Sequence, residues 1–180
     1  MWCYDMATTR NWTSDRHFWR LSRREKTVAL VFLAFGLLGA WLPERLTVAT
    51  SGSLEHRLFF LRPYPGSTEV GDYLVFRHRE LSQVRQGLRQ GGQQMVKKVG
   101  CIPGEQLVRD EAGNFTCNGR ELGNALLADS TGRPLPQFTF AGEVPPGKLF
   151  MVGSHPRSYD SRYFGFIDAS EILHQALPLW

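Results

Sequence analysis

Met95-Val96-Lys97-Lys98-Val99-Gly100-Cys101-Ile102-Pro103-Gly104-Glu105 reads as an apolar-flanked β-strand that carries two adjacent lysines and stops at a Pro-Gly turn. Strand alternation sends Lys97 and Lys98 to opposite faces, so one faces inward or into a cleft and the other faces out. The pattern alone does not say which. The ordinary fate of either side chain is a solvated charge. A buried lysine behaves differently, because burial disfavours the ammonium and yields an amine able to act as a base.

Other short runs have the same character: Leu58 to Leu61, Asp72 to Arg77, Lys148 to Gly153 and Ile172 to Trp180. Gly and Pro turns separate them, and β-branched and aromatic residues fill them, which predicts a mainly β domain. Leu107 to Phe115, with Asp110-Glu111-Ala112-Gly113-Asn114 at its centre, predicts a hairpin. Leu81 to Gln94 is polar and reads as a short helix followed by a flexible connection. Residues 120–147 carry four prolines and little pattern, and are expected to form a surface excursion.

Thr27 to Leu42 is a sixteen-residue run without a charge. As a helix it is about 24 Å long, against roughly 30 Å for a hydrocarbon core. Three readings compete: an uncleaved anchor, a cleaved signal peptide, and a core helix. The long basic leader and the lack of a polar stripe favour the anchor. Trp19, Lys26 and Trp41 suit interfacial positions. The net charge is +4, and residues 1–26 hold six basic side chains against three acidic ones. The basic bias therefore sits beside the apolar run, which fits positive-inside orientation rather than nucleic-acid binding. The expected organisation is a cytoplasmic tail over 1–26, a transmembrane anchor over 27–43, and a periplasmic domain over 44–180. The anchor would contact inner-membrane lipid.

In that orientation Cys3 is cytoplasmic and reduced, while Cys101 and Cys117 face an oxidising compartment. They flank the predicted hairpin, and a Cys101–Cys117 disulfide is expected, with two buried free thiols as the alternative. No Cys-x-x-Cys or spaced His pair accompanies them, so neither a metal nor a cofactor is expected.

A serine hydroxyl needs a base to become a nucleophile. None of the five histidines has an obvious carboxylate to orient it, and a lysine can take the place of histidine where burial keeps its amine neutral near pH 7. Here the residues resemble a known family. Val96 to Glu105 resembles the lysine box of type I signal peptidases. Ser51-Gly52-Ser53-Leu54 is similar to their nucleophile box, and Glu69 to Phe76 to their Gly-Asp-x-Val-x-Phe strand. Gly153 with Ser158-Tyr159-Asp160-Ser161-Arg162-Tyr163-Phe164-Gly165 is similar to their C-terminal box. The four stretches occur in the family's order, over about residues 45–180. Ser53 to Phe59, the Ala176-to-Trp180 terminus and the small size resemble the conjugative-transfer, TraF-like branch.

The resemblance implies an antiparallel signal-peptidase-like β domain behind one N-terminal transmembrane helix. It implies Ser53 as nucleophile and Lys97 as general base. Ser51 would serve the oxyanion and Ser158 would orient Lys97. Lys98 would be structural, and Asp160 and Arg162 a supporting ion pair. It also implies an exported precursor as partner, by analogy a conjugative prepilin, cleaved through an acyl-enzyme that water or a peptide amine resolves. Glu55 and Arg57 stand where the family has proline and glycine. Gly153-Ser154-His155 replaces Gly-Asp-Asn. A general signal peptidase and a non-catalytic anchored scaffold of a secretion channel are the alternative readings.

Overall fold

The protein is described by a computed structural model covering residues 22–78 and 93–180. The predicted helix after Leu81, Trp19, Cys3 and most of the tail lie outside the described residues. The chain divides into two units at Leu42–Pro43.

The first unit is built on helix α1 (Arg23–Arg45), twenty-three residues long. It extends beyond the apolar run at both ends. Ser22 Oγ accepts the Glu25 N–H at 3.3 Å while the Glu25 carboxylate accepts the Ser22 N–H at 2.7 Å, a reciprocal capping box that starts the helix early. At 1.5 Å per residue it reaches about 34 Å. By length and composition it is able to cross a membrane.

Among its described residues the second unit is mainly β, with every strand pair antiparallel. A seven-stranded sheet runs in the order β1 (Leu46–Val48), β2 (Leu58–Pro63), β11 (Ile172–Pro178), β3 (Tyr73–His78), β4 (Gln93–Cys101), β9 (Lys148–Val152), β10 (Ile167–Asp168). A four-stranded sheet follows the order β7 (Arg120–Asn124), β6 (Asn114–Cys117), β5 (Gln106–Arg109), β8 (Gly142–Glu143). The predicted strands and the hairpin, β5 to β6, are present.

β3 explains the face assignment of β4. Leu74 and Phe76 enter one buried cluster with Val99, Leu149, Met151 and Ile167. Tyr73 and Val75 enter another, on the opposite face, with Leu54, Phe59 and Ala176. Lys97 stands directly opposite Leu74 in the ladder, and Lys98 opposite Tyr73. Lys97 therefore shares the Leu74–Phe76–Met151 face.

The ladder between β4 and β9 slips between Val99 and Cys101. The slip occurs at Gly100, where a Cβ would lie 3.1 Å from both Leu122 and Val152. Such a bulge redirects the following side chain. Cys101 accordingly joins Leu107, Phe115, Cys117 and Phe150 in a third cluster. Cys101 and Cys117 are bonded to each other, with Cα atoms 5.8 Å apart. Cys101 is in the large sheet and Cys117 in the small one, so the bridge ties sheet to sheet rather than closing a hairpin.

Residues 120–147 differ from the expected surface excursion. They supply β7 and β8, and Leu122, Leu135, Phe138 and Phe140 pack on the third cluster. Phe138 meets Phe166 edge-to-face at 5.1 Å and stacks with Phe140 at 6.0 Å.

The bridge joins cysteines sixteen positions apart in the chain. A Cys101→Ala/Cys117→Ala variant of the full chain should lose about 3 kcal/mol of stability, read from its denaturation midpoint. An unchanged midpoint would show that the bridge adds nothing.

Candidate active site

The loop between β1 and β2 carries Ser51, Gly52 and Ser53. The Ala49 N–H donates to the Arg57 carbonyl at 2.8 Å and closes its base. Leu54 anchors it in the Phe59–Tyr73–Val75 cluster. The His155 N–H donates to the Ser53 carbonyl at 3.3 Å from the other side. The loop thus holds Ser53 at 9 % exposure, its Oγ 2.9 Å from Ser51 Oγ.

Lys97 is 4 % exposed. Its Nζ donates to Ser158 Oγ at 2.7 Å. Burial pushes the amine from the usual 10.5 down to about 8. The Asp160 carboxylate opposes that fall and the Arg162 guanidinium reinforces it. Ser53 and Lys97 line the same cleft, of about 790 Å³. In the geometry shown, each hydroxyl has its own partner: Ser53 pairs with Ser51, and Ser158 with Lys97. Lys98 points to the opposite face and borders a separate hollow with Glu55 and Glu121.

Asp160 and Arg162 form a buried pair, 0 % and 2 % exposed, and not a surface bridge. Arg162 Nε and Nη2 donate to the two carboxylate oxygens at 2.8 and 2.7 Å. Asp160 also accepts the Gly153 N–H at 2.8 Å and the Arg162 N–H at 3.2 Å, capping the one-turn helix α2 (Ser161–Phe164). The remaining donors of Arg162 reach the carbonyls of Asn124, at 2.9 Å, and Ser158, at 3.3 Å. The pair therefore fixes the backbone of Ser158, and with it the partner of Lys97.

Gly153 shows why no side chain fits there. A Cβ would overlap Ser158 Oγ and sit 2.7 Å from the Ser53 carbonyl oxygen. The sequence marks Gly153 only as part of a box; the close approach becomes visible once three segments meet. Three further cleft residues carry no sequence signal for this place. Leu135, between two prolines, forms a wall, and Arg133 and Arg157 reach the rim.

A family profile described as "Signal peptidase, peptidase S26" matches residues 25–180. The chain is 36 % identical over 88 residues to the conjugal transfer protein TraF of Agrobacterium fabrum, covering 48 % of each chain. It is 33 % identical over 109 residues to the TraF protein of Agrobacterium tumefaciens, covering 54 % of this chain and 55 % of that one. The chain thus spans about half the length of the curated relatives it matches. Among solved structures, a signal peptidase I from Enterococcus faecalis is 25 % identical, with a TM-score of 0.38, covering 61 % of this chain and 96 % of that one. With its profile match running from α1 to the C-terminus, the chain belongs to the peptidase S26 signal peptidase family.

Proposed function

We propose that this protein is a membrane-anchored serine endopeptidase working through Ser53 and Lys97. The observation that carries the reading is the buried Lys97 amine, depressed to about 8, in one cleft with a nearly buried serine. An unpaired ammonium is costly inside an apolar sheet face, so the neutral amine, a proton acceptor, is accessible near neutral pH.

In this reading the Ser53 hydroxyl turns from Ser51 to Lys97 when a peptide carbonyl enters. Catalytic hydrogen bonds commonly tighten only with substrate bound. Lys97 takes the Ser53 proton as Oγ bonds to the carbonyl carbon. The turn frees the Ser51 hydroxyl, which then donates to the developing oxyanion together with the Ser53 N–H. Lys97 returns the proton to the leaving amine, and the acyl group remains on Ser53. Water or a peptide amine then releases it. Ser158 holds the Lys97 amine throughout, and Asp160 with Arg162 holds Ser158.

The substrate in this reading is an exported precursor cleaved after a small residue. The relatives named as conjugal transfer proteins favour a conjugative prepilin. Residues 27–43 are the anchor, 1–26 the cytoplasmic tail, and 44–180 the periplasmic domain. The basic leader and the span-length helix support this orientation in the inner membrane.

Ser53→Ala and Lys97→Ala should each lower precursor cleavage by several orders of magnitude without loss of folding, as judged by circular dichroism; normal cleavage by either would contradict the mechanism. Ser51→Ala should retain more, losing roughly 10²–10³ in kcat. Because the base must be neutral, kcat/KM should rise with pH to a midpoint of about 8 and fall about tenfold per unit well below it. A flat profile from weakly acidic to neutral pH would exclude a lysine base. Gly153→Ala should cost roughly 10² in kcat/KM by displacing Ser158 and Ser53 together, measured beside the parent enzyme on one peptide.

A further inference from the structure

Two differently charged regions adjoin the Ser53 cleft. One is a groove lined by Val48, Ala49, Thr50, Val75, Gln94 and Val96, in which Lys97 is the only charged side chain among the described residues. It meets the cleft at Ser51, Met95 and Lys97. The other is a lobe of about 270 Å³ that shares Asp129, Leu135, Arg157 and Tyr159 with the cleft and no lining residue with the groove.

The Asp129–Arg133 loop and the His155–Ser158 turn border this second region. They bring two guanidiniums, Arg133 and Arg157, to the cleft. The acid present, Asp129, is committed to its own loop. Its Oδ1 accepts from the Thr131 N–H at 2.8 Å, the Thr131 hydroxyl at 2.6 Å and the Arg133 N–H at 3.0 Å. Its Oδ2 accepts from Arg133 Nε at 2.9 Å. The terminal nitrogens of Arg133 remain for a ligand, and its side chain is 79 % exposed. Arg157 forms no salt bridge among the described residues; its backbone N–H donates to His155 Nδ1 at 3.1 Å. Leu126, Ala128 and Leu135 give the lobe apolar walls, which strengthen any ion pair formed there.

We propose that this lobe and the adjoining part of the cleft select a carboxylate on the leaving side of the scissile bond, with Arg157, which lines both, and Arg133, which lines the cleft, as specificity determinants. The inference rests on the peptidase reading above. A small residue on the acyl side fits the groove, which directs the leaving segment to the arginines. The planar guanidinium fork matches a carboxylate in geometry as well as charge. The carboxylate is either an Asp or Glu side chain or the free C-terminus of a short leaving segment.

The test uses the full-length protein in detergent and fluorogenic peptides with alanine before the scissile bond. They carry Glu or Gln two residues after it, each with a free or an amidated C-terminus. The Glu/Gln ratio of kcat/KM reads the side-chain source, and the acid/amide ratio reads the terminus. At least one ratio should be on the order of tenfold and shrink as salt is raised. Arg157→Glu should invert it, favouring a Lys-bearing peptide, which a merely structural role would not do. If that variant does not fold, Arg133→Gln on the exposed loop should lower the same ratio. Binding of the peptides to Ser53→Ala separates the two readings. Acid-selective binding without cleavage by the parent enzyme keeps the lobe and overturns the peptidase. Cleavage with both ratios near one, or a ratio untouched by both substitutions, overturns the lobe and keeps the peptidase.

Discussion

A lysine amine placed on the apolar face of a sheet is the constraint to which the rest of the domain answers. Directly across the ladder from Lys97 is Leu74, and Met151 and Phe76 share its face. The ammonium form is disfavoured there, and Ser158 Oγ gives the amine a partner that brings no charge. Asp160 acting alone would draw the proton back onto Lys97. Arg162, bidentate on that carboxylate, acts against its field at the amine. The pair thus organises the backbone around the lysine while its two charges act on the amine in opposite directions.

That organisation draws on both sheets. Arg162 reaches the Asn124 carbonyl at the end of β7, where Gly123 adopts φ +93° and a Cβ would come within 2.8 Å of the guanidinium. The Cys101–Cys117 bond fastens the small sheet to the strand that carries Lys97. Asp160 holds the Gly153 N–H, and Gly153 lets Ser158 and the Ser53 carbonyl approach one another. Removing one partner of a buried ion pair leaves the other charge uncompensated, commonly a loss of 3–5 kcal/mol, or about that order. Here the loss would also release the hydroxyl that steadies the amine.

Much of this architecture is legible from the chain. Short apolar runs between Gly and Pro turns give the strands, and Asp110 to Asn114 gives the hairpin. The choice between Lys97 and Lys98 is not, because Tyr73, Leu74, Val75 and Phe76 are apolar on both faces of their strand. Only the resemblance separates the two lysines, and the ladder register then shows the physical reason. Residues 120–147 mislead because prolines interrupt periodicity. Phe138 and Phe140, alternating at strand spacing, were the available signal of packing. The cysteines flank a hairpin in sequence, yet a bulge at Gly100 makes their bond an inter-sheet one. Arg157 and Arg133 belong to distant loops, so their convergence on one cleft exists only after folding.

The central claim is that Lys97 is a depressed amine inside the folded protein, and its titration is the most direct measurement. With ¹⁵N-labelled lysine in the full-length protein, the Lys97 Nζ resonance, assigned by its loss in Lys97→Arg, should titrate with a midpoint of about 8. A midpoint near the ordinary 10.5 would mean a solvated ammonium and would contradict the account.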